Sequence, residues 1–129
     1  MEVRRWSPMI DPFTAPKDAG ALADVHPLLA RMVAAYGHNP TARLLDVDAA
    51  MLTRWKRGAK ISPAMSHRIF DLHAVLARAL QVFAPEVATQ WLVGHEPFLN
   101  EARPIDVLGA RGSAPLIEAL DAIAAGAYA

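Results

Sequence analysis

An all-α fold is predicted by three features of the chain. More than half of its 129 residues are hydrophobic, weighted towards the strong helix formers alanine and leucine. Apolar residues recur at helical spacing through Leu28, Leu29, Met32, Val33 and Tyr36, and again through Ile69, Leu72, Val75, Leu76, Leu80 and Phe83. These stretches are punctuated by helix starts such as Asn39-Pro40 and Ser62-Pro63 and by glycine stops at Gly37, Gly58, Gly94 and Gly126.

Residues 1–22 carry Pro8, Pro12 and Pro16 among small and polar residues, a composition that disfavours regular structure. An arm is expected there. Trp6, Met9, Ile10 and Phe13 are too apolar for a pure linker, which leaves open whether it packs on the body or on a partner. The first helix begins near Asp24 and ends at Gly37. Asn39 is then expected to cap a short helix with Pro40 at its first position, running to about Leu45.

Asp48 caps the next helix, beside the positive end of its dipole, and Gly58 stops that helix in the left-handed conformation. Two short helices joined by a tight link have the grammar of a helix-turn-helix. On the second, 100° per residue places Ala49, Leu52, Trp55 and Ala59 on a packed side and Ala50, Thr53, Arg54 and Arg57 on an outward side.

Ser62 and Pro63 open the longest helix, expected to reach about Phe83, and Pro85 opens a short one to Gly94. An irregular segment from His95 to Arg103 follows, then a short helix from Pro104 through Leu108. Ser113 caps a last helix with Leu116, Leu120 and Ile123 inward, and Gly126 ends it before the tail Ala127-Tyr128-Ala129. The organisation read from this is an arm over 1–22, a helix-turn-helix bundle with its long connecting helix over 23–83, and a small helical domain over 84–129.

The net charge is zero, but its distribution is uneven. From Ala49 to Phe70 the charged residues are Arg54, Lys56, Arg57, Lys60 and Arg68, whereas from Ala84 onward Glu86, Glu96, Glu101, Asp106, Glu118 and Asp121 face only Arg103 and Arg111. The outward basic face of the second short helix is where a duplex backbone would sit. Candidate DNA contacts are Ala50, Thr53, Arg54, Arg57 and Lys60, with Arg54 as the base reader and Thr53, Arg57 and Lys60 on phosphates. Alanines at positions 49 and 50, where base edges are usually read by long polar groups, predict modest sequence specificity. Lys56 projects partly towards the packed side and would reach phosphate only with its tip. A solvated basic face stabilising the helix dipole is the plainer alternative.

The absence of cysteine excludes disulfides, thiolate metal sites and cysteine nucleophiles. No apolar run approaches a membrane span, and Arg4-Arg5 is followed by Pro8, Asp11 and Pro12 rather than a signal core, so a cytoplasmic protein is expected. No cofactor is expected.

Trp91-Leu92, Glu96-Pro97-Phe98-Leu99, Arg103-Pro104-Ile105-Asp106-Val107-Leu108, Ile117-Glu118-Ala119-Leu120 and the ending Ala125-Gly126-Ala127-Tyr128-Ala129 together resemble the C-terminal toxin-binding domain of the Xre/MbcA/ParS-type antitoxins. With the helix-turn-helix upstream, the resemblance covers about residues 25–129. It implies a non-catalytic antitoxin whose C-terminal domain binds a RES-domain toxin that destroys NAD or transfers its ADP-ribose, and closes that toxin's active site. It further implies promoter binding by the helix-turn-helix, a homodimer and larger assemblies with toxin. On this resemblance the toxin-binding residues are Phe98, Leu99, Asn100, Arg103, Gly126, Tyr128 and Ala129.

The residues themselves agree. Proline-punctuated short helices present a shaped surface, an acidic end suits a cleft that binds pyrophosphate, and Tyr128 is an aromatic of the kind enriched at hot spots, although its tail is equally able to fold back on the core. Trp91 reads as core, because large aromatics dominate small cores. Rival readings are a solitary helix-turn-helix regulator with a C-terminal dimerisation domain, a toxin binder without DNA binding, and an enzyme built on His67 and Asp71, which share a helical face, with His73 nearby but off it.

Overall fold

The computed structural model describes residues 24–126, which are all-helical: α1 (His26–Tyr36), α2 (His38–Leu45), α3 (Ala49–Lys56), α4 (Pro63–Ala79), α5 (Pro85–Val93), a single 3-10 turn (Pro97–Leu99), α6 (Pro104–Arg111) and α7 (Ala114–Gly126). The expected arm over residues 1–22 lies outside the described residues, as do Tyr128 and Ala129. No helix among the described residues is long and apolar enough to cross a membrane.

The central α4 contacts α1, α6 and α7, while α1 also contacts α2, α3 and α5. Buried residues form one cluster running from Val25 to Leu120. In it Leu29 and Met32 of α1, Leu52 and Trp55 of α3, and Ile69, Leu72, Val75 and Leu76 of α4 meet Leu92 of α5, Leu108 of α6 and Leu116 and Leu120 of α7. Leu116 and Leu120 are fully buried, so α7 is part of the core that supports the rest.

Several element boundaries differ from the sequence expectation. Asn39 does not cap α2. The helix begins at His38, two residues before the expected Pro40, with Gly37 in the cap position at φ 97°. Gly37 serves both neighbours, donating to Val33 O at 2.8 Å as α1 closes and accepting from Thr41 N at 3.2 Å as α2 opens. Pro40 lies within the first turn, where its missing N–H is one of the groups no helix satisfies internally.

The long helix ends at Ala79, short of Phe83. Gln81 N and Val82 N bond back to Arg78 O and Ala79 O as consecutive turns, and Ala84 is extended at ψ 158°, as a residue before proline prefers. Leu80 is consequently 39% exposed, and Ala79 takes its expected place in the buried stripe. Ala49 and Ala59, expected on the packed side of α3, are exposed. They stand at and just beyond the ends of this helix, and neighbouring helices reach them only at their carbonyl oxygens, His38 at Ala49 and His26 at Ala59. The α6 helix continues past Leu108 to Arg111, and Gly112 ends it at φ 81°.

Candidate functional site

Two surfaces gather the residues singled out by the sequence: the outer edge of α3 and a groove at the C-terminal end. The first depends on how α3 is delimited. Asp48 Oδ1 accepts from Met51 N at 2.7 Å, satisfying one of the donors left free at the helix start. At the other end Ala59 N reaches Arg54 O at 3.0 Å and Gly58 N reaches Trp55 O at 2.8 Å, with Gly58 at φ 98°. This pair of bonds around a left-handed glycine is a Schellman stop. Asp48→Ala should therefore lower stability by about 1 kcal/mol with no change in helical content at low temperature, measured by thermal and denaturant unfolding.

Leu52 and Trp55 anchor the helix inward. Ala50, Arg54, Arg57 and Lys60 are exposed, while Thr53 is half-buried with its hydroxyl donating to Ala49 O at 3.0 Å. That bond uses the only proton Thr53 has to offer a phosphate. Lys56 Nζ lies 3.3 Å from His38 Nδ1, and His38 Nε2 is 3.0 Å from Ala49 O. His38 thus faces one donor and one acceptor. The Arg54 guanidinium lies 3.5 Å from the Met51 sulfur. The ion pairs of the described residues are His26–Asp24, Arg78–Asp121 and Arg103–Asp106, so no described carboxylate compensates the positive charge of Arg54, Lys56, Arg57 and Lys60.

The second surface is organised by a glutamate. Glu96 is only 5% exposed, and its carboxylate accepts from Trp91 Nε1 at 2.7 Å and from Phe98 N at 2.6 Å. Its backbone is equally engaged: Glu96 N donates to Ala102 O at 3.1 Å, and Leu99 N and Glu101 N both donate to Glu96 O at 2.9 Å. Asn100 and Glu101 turn the chain with consecutive left-handed φ values of 58° and 66°, and His95 Nδ1 donates to Glu101 O at 2.7 Å. Such left-handed residues are strained and persist only where their surroundings over-determine them. Trp91 is half-buried, tilted against Phe83 at a ring separation of 6.1 Å, with its N–H committed to Glu96.

The result is a short loop fastened at many points that holds Phe98 60% exposed. Phe98, Leu99 and Asn100 line a groove of about 330 Å³ with Val107 and Arg111 of α6 and Pro115, Glu118 and Ala122 of α7. Arg103 is elsewhere. It is ion-paired with Asp106 at 3.4 Å and lines a separate groove with Arg43 of α2 and Thr89 and Gln90 of α5. Gly126 is exposed at the end of α7, one turn beyond Ala122.

Sequence reasoning did not select Glu96, Arg111 or Glu118 as site residues. Glu96 entered as one negative charge and as part of the segment that carries the resemblance, although its place immediately before a proline that begins a helical turn is a cap position. Arg111 and Glu118 are adjacent only through the packing of α6 on α7, for which local sequence has no signal. The acidic surplus also shrinks in three dimensions, because Glu96 is buried and bonded, Asp106 pairs with Arg103 and Asp121 pairs with Arg78 at 2.9 Å. Glu86, Glu101 and Glu118 remain as exposed acids without an ion pair. His67 and Asp71 border one groove with Arg68, and no group of three His, Asp or Glu side chains among the described residues could hold a metal ion.

The chain matches no protein-family model, no curated protein and no solved structure.

Proposed function

We propose that the chain is a non-catalytic antitoxin. Its C-terminal part binds a RES-domain toxin that consumes NAD or transfers its ADP-ribose, and blocks that toxin's active site. The basic edge of α3 binds the promoter as a secondary, autoregulatory activity. Phe98 is the observation that carries the reading: a large apolar side chain 60% exposed on a multiply fastened loop, at the mouth of a groove, within the residues that bear the antitoxin resemblance. A lone exposed hydrophobe is ordinary, but one that is already ordered loses little conformational entropy on binding. Dimerisation belongs to the same proposal, and the exposed Leu80, Val87 and Val93 supply apolar surface for it.

The test is co-purification with the RES-domain toxin encoded beside it, comparing the unmodified chain with a Phe98 variant. Deleting residues 113–129 would answer a different question, since it removes Leu116 and Leu120 from the core. A stable chain that captures no toxin but shifts its own promoter DNA would transfer the proposal to a solitary regulator.

The charge of Arg54, Arg57 and Lys60, which no acid among the described residues pairs, supports the promoter half. The Arg54→Ala, Arg57→Ala double variant should weaken duplex binding by at least tenfold at moderate salt. The slope of log affinity against log salt should fall by roughly 2, one counterion for each phosphate that is no longer neutralised. Toxin capture should be unchanged. An unaltered slope would remove α3 from the DNA interface.

A further inference from the structure

His26 stands at the start of α1, and both of its ring nitrogens face acceptors. Nδ1 is 3.0 Å from Asp24 Oδ1, and Nε2 is 2.9 Å from the carbonyl oxygen of Ala59. A neutral imidazole carries one N–H and cannot serve both; only the imidazolium does. The Asp24 carboxylate is held in place by a second bond from the His26 backbone N–H at 3.1 Å.

Ala59 is not an arbitrary acceptor. It is the last residue of the Schellman stop of α3, donating to Arg54 O. Such stops are usually reinforced by a hydrophobic contact between that residue and the final helical turn. Here the C″ and C3 positions are Ala59 and Arg54, a methyl and a charged side chain, both exposed. Between the buried Trp55 and Ile61, the His26 bond ties the carbonyl of Ala59 to the start of α1.

We propose that His26 is a protonation-dependent latch on the C-terminal end of α3: its imidazolium bridges Asp24 and Ala59, and loss of the proton releases Ala59 and loosens the basic linker from Arg57 to Lys60. On deprotonation the remaining N–H stays with the carboxylate, the stronger acceptor, and leaves a ring lone pair facing the Ala59 carbonyl. Among the described residues, the charged groups around His26 are Asp24 from its own segment and Lys56 from α3, which shares a groove with it and whose ammonium lies at His38. Arg57 and Lys60 flank Ala59 and are exposed.

The bond to Ala59, then that to Asp24, raises the His26 pKa above its ordinary 6.5, against a smaller opposing effect of burial. A raised folded-state value means that the latch contributes fully below the unfolded value and is lost as pH rises through the folded one. His73 on α4 runs the opposite way. Burial, then Arg31, lowers its pKa, so its contribution is lost as pH falls. A global stability profile therefore mixes the two, and a local readout is required.

The experiment is amide hydrogen exchange at Gly58 and Ala59 from roughly pH 5.5 to 8.5, normalised to intrinsic rates, alongside titration of the His26 ring by NMR. Protection at Ala59 should fall at least fivefold through the His26 transition. His26→Gln should remove that step. Asp24→Asn should abolish it differently: an amide N–H can donate to Nδ1, leaving Nε2–H on Ala59, so that protection stays high at every pH. Protection that is flat with pH in the unmodified chain, or an unchanged step in Asp24→Asn, overturns the latch. None of these readouts depends on DNA or toxin binding, so the latch and the proposed function fail separately.

Discussion

Replacing Glu96 by alanine is expected to lower stability by about 2–3 kcal/mol, because two part-buried donors, Trp91 Nε1 and Phe98 N, lose their acceptor together. For a helical body of this size that corresponds to a fall in melting temperature of roughly 10–20 °C. Glu96→Gln keeps the shape but sets its NH2 group against one of the two donors, and should cost about half as much. The decisive measurement is the double variant. In a Trp91→Phe background the amide can turn its oxygen to Phe98 N and its NH2 away from any donor, so Glu96→Gln should become nearly neutral. Additive costs would mean that the carboxylate is not shared between these donors. The Glu96 variants should also weaken partner binding, since the same bonds position Phe98.

Phe98→Ala should leave the melting temperature within a few degrees of the unmodified chain, because most of the side chain is already in water. Under the proposed antitoxin function its effect should appear in the complex, as a loss of toxin affinity of about 2–4 kcal/mol, or roughly 30- to 1,000-fold, the range of an aromatic anchor at an interface centre. Titration calorimetry with the RES-domain toxin measures it. Glu118→Ala, in the same groove but polar, should cost less than about 1 kcal/mol if it lies at the rim. A Phe98 variant with full affinity would displace the interface from this groove.

Much of the helical architecture was legible because its signals are local. Ser62 with Pro63, Asp48 three residues before Met51, and Gly58 after α3 each act on backbone groups within one turn, and each does so in the structure. The inward residues of α4, Ile69, Leu72, Val75 and Leu76, follow from a period that one helix imposes. Asn39 misled because Gly37, by taking φ 97°, lets the helix begin two residues sooner. Leu80 misled because the apolar period continues beyond the point where the chain stops being helical. Of the candidate toxin contacts, Phe98, Leu99 and Asn100 come together, whereas Arg103 is drawn to another face by Asp106 and α2.

By itself the sequence determined the all-helical class, most of the helix ends and the basic edge of α3, since caps, prolines, glycines and the 3.6-residue period all act over a few residues. Tertiary structure alone decided that Glu96 is buried between Trp91 and Phe98, that Arg111 and Glu118 share a groove with Phe98, and that His26 reaches across to Ala59. Each of those depends on where one helix comes to rest against another, and that is set by the packing of the whole core rather than by any neighbouring residues.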